Sequence, residues 1–146
     1  QDGLADQPSP DAVLLGRLRR YQAEVAMNAG MPDEAEALLR EAYDQYQSIH
    51  YRPGIAASLE ALGRLALARG ETDFGVDRLR RALRIRTRLL DRKASLAILA
   101  DLERTYLASE DATGVREVAT LRELLQEAGP EDWRRLRDIS PELETG

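Results

Sequence analysis

The sequence predicts an all-α protein: an array of three antiparallel helical hairpins with a period of about 40, closed by a short C-terminal capping helix. Three observations carry this. Segments recur at a fixed interval, so that Gly30 falls on Gly70, Asp33 on Asp73, Leu39 on Leu79 and Ala42 on Ala82. Within each segment the apolar residues keep the spacing of one helix face, as in Leu59, Leu62, Ala66 and Leu67. Glycine or proline then interrupts the pattern before it resumes.

The elements follow in order. Ser9 as a cap and Pro10 in the first turn open a helix predicted over 10–29, which leaves residues 1–9 as a disordered segment. Gly30 suits the left-handed position just past a helix, and "MPDE" supplies Pro32 and acidic residues for the opening turn of a second helix over 32–49. The third helix is predicted over 54–69, with Gly54 preceding it and Gly70 ending it, and the fourth over 72–90. The third copy is more diverged: Glu110 holds the glycine slot, Val115 the slot of Ala35 and Gly75, and Tyr106 that of Ala26 and Ala66. Its helices are predicted over 94–109 and 112–128. Gly129 and Pro130 then start a cap over 130–139 with Trp133, Leu136 and Ile139 on one stripe, and residues 141–146 are expected to fray. The repeats are thus 10–50, 53–91 and 94–128 within one domain over 10–140. Gly63, inside a helix, costs roughly 1 kcal/mol against Ala. Its expected compensation is close backbone approach where two helices cross, with Gly75 as a second small contact.

Composition limits the function. The 146 residues are 43% hydrophobic and 32% charged, a balance expected of one globular domain. There is no cysteine, hence no disulfide and no thiolate metal site. No apolar run approaches the roughly 20 residues that cross a bilayer, and a cytoplasmic location without membrane attachment is expected. Because the chain opens on Gln1 rather than Met, it reads as part of a longer protein.

No catalytic constellation is found. The phosphate-cradling, dinucleotide and nucleophile-elbow glycine motifs are all missing, as is any H-E-x-x-H pair, so neither an enzyme nor a cofactor or metal is expected. His50, the only histidine, has Asp44 and Ser48 nearby, but it falls at a predicted turn, and positions 48 and 50 do not face one another on a helix, so no catalytic triad is read there. Glu34, Glu36, Glu41 and Asp44 read as a solvated face. The net charge is −5, yet Arg80, Arg81, Arg84 and Arg88 form a basic stripe on the fourth helix. Without interleaved aromatics or a reading motif this stripe reads as solvated surface or a contact with a neighbouring domain ahead of a nucleic-acid surface. Arg86 lies among apolar positions and is expected to snorkel or meet a carboxylate.

Leu59, Leu62, Gly63, Ala66, Gly75, Leu79 and Ala82 resemble the tetratricopeptide repeat pattern, although the period is longer than the usual 34. The resemblance implies a right-handed array in which the first helix of each hairpin lines a concave surface. Carrying those positions over names Arg17, Arg20, Glu24 and Asn28, then Glu60 and Arg64, then Asp101, Arg104 and Leu107 as a candidate partner-binding groove. Families that clamp a terminal carboxylate use Lys and Asn where Arg20 and Glu24 stand, which argues against that ligand. The stretch "GIAASLEALGRLALARG", with Leu83, Ile85, Arg86, Leu89 and Asp91, is similar to the C-terminal repeat arrays of large LuxR-type and antibiotic-regulator-type bacterial transcriptional activators. The expected function is therefore a non-catalytic module for a protein or peptide, acidic or a neighbouring domain of the same chain. The second reading is a homo-oligomerising scaffold, and the third, behind it, a nucleic-acid-contacting or enzyme-associated helical domain.

Overall fold

The computed structural model describes residues 9–127, which form six helices: α1 Pro10–Asn28, α2 Pro32–Ser48, α3 Arg52–Ala68, α4 Thr72–Arg88, α5 Arg92–Ala108 and α6 Ala112–Glu127. The described chain is 87% helical with no strand. It is the all-α array of helical hairpins that the repeat predicts. The expectations for residues 1–8, for the cap over 130–139 with Trp133, Leu136 and Ile139, and for 141–146 lie outside the described residues.

The turns share one geometry. Gly30, His50, Gly70, Leu90 and Glu110 all take positive φ, at 74°, 54°, 80°, 60° and 58°. They stand 20 residues apart, so every connection repeats the same three-residue turn. Each is closed by the same bond from the following N–H to the carbonyl five residues back: Met31 to Ala26 at 2.9 Å, Tyr51 to Tyr46 at 3.0 Å, Glu71 to Ala66 at 2.8 Å, Asp91 to Arg86 at 2.9 Å and Asp111 to Tyr106 at 2.8 Å. This satisfies carbonyls that a helix end leaves open. The starts are capped where the sequence allows: Ser9 Oγ accepts from Ala12 N at 3.1 Å, Asp91 Oδ1 from Ala94 N at 3.1 Å and Asp111 Oδ1 from Gly114 N at 2.9 Å.

Side chains pack where backbones come close. Gly63 of α3 and Gly75 of α4 face each other as the spacing predicts. Gly54 differs from the expectation, because it lies inside the first turn of α3 and is buried rather than preceding the helix. The Tyr46 ring explains it. A Cβ on Gly54 would stand 2.3 Å from Tyr46 Cδ1, and one on Gly16 of α1 would stand 2.6 Å from Tyr46 Cε1. The ring of α2 is thus held between the helix before it and the helix after it. Tyr106 repeats half of this arrangement on Gly114 of α6, at 2.6 Å.

Two apolar clusters result. A small one, rich in alanine, joins α1, α2 and α3 through Ala23, Ala26, Ala35, Leu39 and Leu65. A larger one runs from Ala42 and Tyr46 through Leu79, Leu83, Ile98 and Leu102 to Leu125. The backbones of the first helices come close to one another, α1 to α3 and α3 to α5, whereas those of α2, α4 and α6 do not, and Arg80 of α4 reaches Glu117 of α6 only through its long side chain. The array therefore closes up on the α1–α3–α5 face and opens on the other.

Candidate functional site

Two adjoining hollows occupy the α1–α3–α5 face. The first, of about 430 Å³, lies between α1 and α3, with Arg20, Glu24 and Asn28 on its rim and Ala23, Leu39, Ala61 and Leu65 beneath. The rim residues recur every four positions, which places them on one edge of α1. The second, of about 620 Å³, lies between α3 and α5 and is lined by Arg64, Leu67, Thr72, Asp101 and Arg104 among others. Arg64 belongs to both. The hollows therefore form one groove with Arg64 at its waist.

Charge in the groove is organised from below. Asp101 accepts from Arg64 Nε at 2.7 Å and also from Arg104. Glu60 lies 3.8 Å from Arg64 Nη1 and accepts from Arg86 Nε at 2.5 Å, while Arg86 reaches on to Asp91 at 3.4 Å. The two central carboxylates are covered, with 13% and 11% of the Asp101 and Glu60 side chains accessible, whereas Arg64 and Arg104 are exposed. Largely covered acids thus hold exposed guanidiniums in fixed directions. A guanidinium has five N–H donors in a rigid fork, and these contacts leave some of them facing the groove.

The structure sorts the residues that the sequence nominates. Arg20, Glu24, Asn28, Arg64, Asp101 and Arg104 line the groove. Glu60 is buried between α3 and α4 on Arg86, so it supports the groove rather than facing it. Arg17 and Leu107 are exposed but border neither hollow. The Arg64–Asp101 contact joins residues 37 apart, three short of the repeat period, so their slots lie one helical turn apart on the same face.

A larger cleft, about 1050 Å³, runs along the α2–α4 side, with Tyr43, His50, Arg52, Arg80, Arg81, Arg84 and Arg88 in its lining, and meets the second hollow at Thr72, Thr105 and Ser109. The four arginines of α4 are engaged within the protein. Arg80 donates to Tyr106 Oη at 2.6 Å and pairs with Glu117 at 3.1 Å, Arg81 pairs with Asp77 at 3.3 Å, and neither Arg84 nor Arg88 is without a partner. Burial pushes the Tyr106 phenol above its ordinary pKa, against the opposing pull of Arg80. Between α5 and α6, Arg122 donates to both oxygens of Glu103, at 2.9 and 3.1 Å, and holds that carboxyl below its usual range. On the outside of α2 and α3, the hydrogen bond from Arg69 to Asp33 at 2.6 Å raises the Arg69 pKa. The last two pairs tie α5 to α6 and the end of α3 to α2. Among the described residues no acidic or histidine cluster could hold a metal ion, and no helix is long and apolar enough to cross a membrane.

The tetratricopeptide repeat family profile matches residues 14–88, a little over half of the chain. The protein belongs to the tetratricopeptide repeat family. Repeats of this kind generally mediate protein–protein interaction and are typically non-catalytic. No curated protein and no solved structure matches the chain.

Proposed function

We propose that this array is a non-catalytic module that takes an acidic peptide, or an acidic helix of a neighbouring domain, in the α1–α3–α5 groove. One observation carries the reading: Asp101 fixes two exposed guanidiniums beside a hollow floored by alanine and leucine. Oriented guanidinium forks grip carboxylates in bidentate geometry, and the apolar floor accepts an aliphatic side chain between them. Glu24 on the rim disfavours ligands whose acidic groups lie over α1, which adds selectivity by repulsion.

The test uses the whole chain and a labelled, Glu-rich amphipathic peptide, followed by fluorescence anisotropy. Replacing Arg20 and Arg104 together by Ser is expected to weaken binding at least about tenfold, since each charged contact contributes roughly 1.5–3 kcal/mol. Arg81→Ser on the opposite face leaves binding unchanged. The reverse pattern moves recognition to the α4 cleft and overturns the groove.

The likeness of the second hairpin to regulator arrays supports a wider reading, in which this is the cytoplasmic regulatory array of a larger bacterial transcriptional regulator. An ATPase and DNA-binding segment ahead of Gln1 in the natural protein supports it. A natural start at this point overturns it.

A further inference from the structure

The solvent face of α1 is apolar along its centre. Leu14, Leu18, Tyr21 and Val25 are 59%, 46%, 55% and 68% exposed, while Gly16, Ala23 and Ala26 on the opposite side are buried. Their 4-3-4 spacing draws one continuous stripe, roughly 16 Å long at 1.5 Å per residue. Contiguous apolar surface of this kind marks an interaction site.

The internal repeat gives two copies of this face in a covered state. One period on, the positions of Leu14, Leu18 and Val25 are held by Gly54, Ser58 and Leu65, all buried. Gly54 lies directly under the Tyr46 ring of α2. Two periods on, they are Ala94, Ile98 and Thr105, at most partly exposed. The covered copies thus open with a residue small enough for a helix to approach closely. Leucine in α1 blocks that approach, so the face is not shaped for another hairpin in the array's own spacing. Large branched side chains in a 4-3 pattern instead fit the wider spacing of a helix pair with interlocking knobs.

The flank names the partner. Arg17 and Glu24 lie seven residues apart on one edge of the stripe, both are exposed, and neither makes an ion pair among the described residues. We propose that α1 pairs antiparallel with α1 of a second copy, forming a two-fold symmetric dimer. A two-fold axis between Leu18 and Tyr21 sets Leu14 against Val25 of the other chain and Leu18 against Tyr21. The same axis brings Arg17 opposite Glu24, twice by symmetry. Parallel pairing would turn this edge to opposite sides of the interface in the two chains, so that Arg17 and Glu24 would not meet. Glu24 also rims the α1–α3 hollow, so the dimer places the two grooves side by side.

One helix pair is a small interface, so a reversible monomer–dimer equilibrium is expected, with a Kd of order micromolar. Sedimentation equilibrium of the whole chain over a wide concentration range reads it directly. Leu18→Lys with Val25→Lys is expected to leave only monomer while circular dichroism stays unchanged, because both sites are exposed. Arg17→Glu alone and Glu24→Arg alone each weaken the dimer about tenfold or more, and the double exchange restores it. A wild-type chain that stays monomeric at every concentration overturns the proposal and leaves the face to a different protein. A dimer that the Lys pair does not disrupt, or that the double exchange does not restore, overturns it equally.

Discussion

Gly63 and Gly75 are each other's reason for being glycine. A Cβ on Gly63 would stand 3.1 Å from the carbonyl oxygen of Gly75 and 2.9 Å from Leu79 Cγ. A Cβ on Gly75 would stand 3.0 Å from the carbonyl oxygen of Gly63 and 2.5 Å from Leu67 Cδ2. The helix propensity lost at two positions is offset by a crossing in which backbone meets backbone. Gly63→Leu is therefore expected to destabilise the protein by about 1–3 kcal/mol through overpacking. Urea unfolding at pH 7 checks it, and an unchanged midpoint would contradict the close crossing.

Tyr46 fills the space that Gly16 and Gly54 leave open, and it is almost fully buried. Its replacement by Ala removes the ring from between three helices. Large aromatic deletions of this kind cost about 3–5 kcal/mol, depending on how far the site collapses. The reciprocal variant, Gly54→Ala, should also destabilise, because the ring has no room to withdraw. Thermal unfolding of both variants tests the socket from its two sides.

Three turns use a left-handed residue that is not glycine: His50, Leu90 and Glu110. For such residues the left-handed conformation costs roughly 1–2 kcal/mol. Leu90→Gly and Glu110→Gly are expected to raise the melting temperature, each by relief of about 1 kcal/mol less the added freedom of the unfolded chain. Gly70→Ala should lower it. Opposite signs at equivalent turns would be hard to obtain from anything but the shared backbone geometry.

Acid should loosen the third hairpin. Arg122 holds the Glu103 carboxyl below its usual range, so the folded state binds that proton less readily than the unfolded state does. The resulting stability is present above the ordinary carboxylate pKa and is lost as pH falls through the lowered value. Denaturation midpoints measured from pH 7 downward should fall, and Glu103→Gln should flatten part of that slope. An identical slope in the variant would remove Glu103 from the account.

Periodicity made the helices legible, since Gly30, Gly70 and the apolar stripes mark both ends and faces of the first two hairpins. The error at Gly54 has a definite cause. Its role depends on Tyr46, eight residues earlier and across a turn, a spacing that neither the helical period nor the 40-residue repeat displays. The same offset recurs from Tyr106 to Gly114, and that recurrence was the available signal. Arg86 does meet carboxylates, as its position among apolar residues predicts. For the groove, the phase of the repeat was enough to bring Arg64 and Arg104 to one face. It could not show that both converge on Asp101, because that depends on how closely α3 and α5 approach.

The two apolar clusters differ in what they can hold. The one that joins α1 to α2 and α3 is small and mostly alanine, whereas the one that runs from the end of α2 through the second and third hairpins is large and rich in leucine, and it reaches α1 only where the Tyr46 ring meets Gly16. In a molecule whose parts touch only their neighbours, stability is distributed like the strength of links in a chain. Opening should start at the N-terminal link, so α1 amides are expected to exchange with deuterium first and those of α4 and α5 last. A partner that seals the outer face of α1 would then do more than add a contact. It would clamp the loose end and slow the unzipping of the whole array.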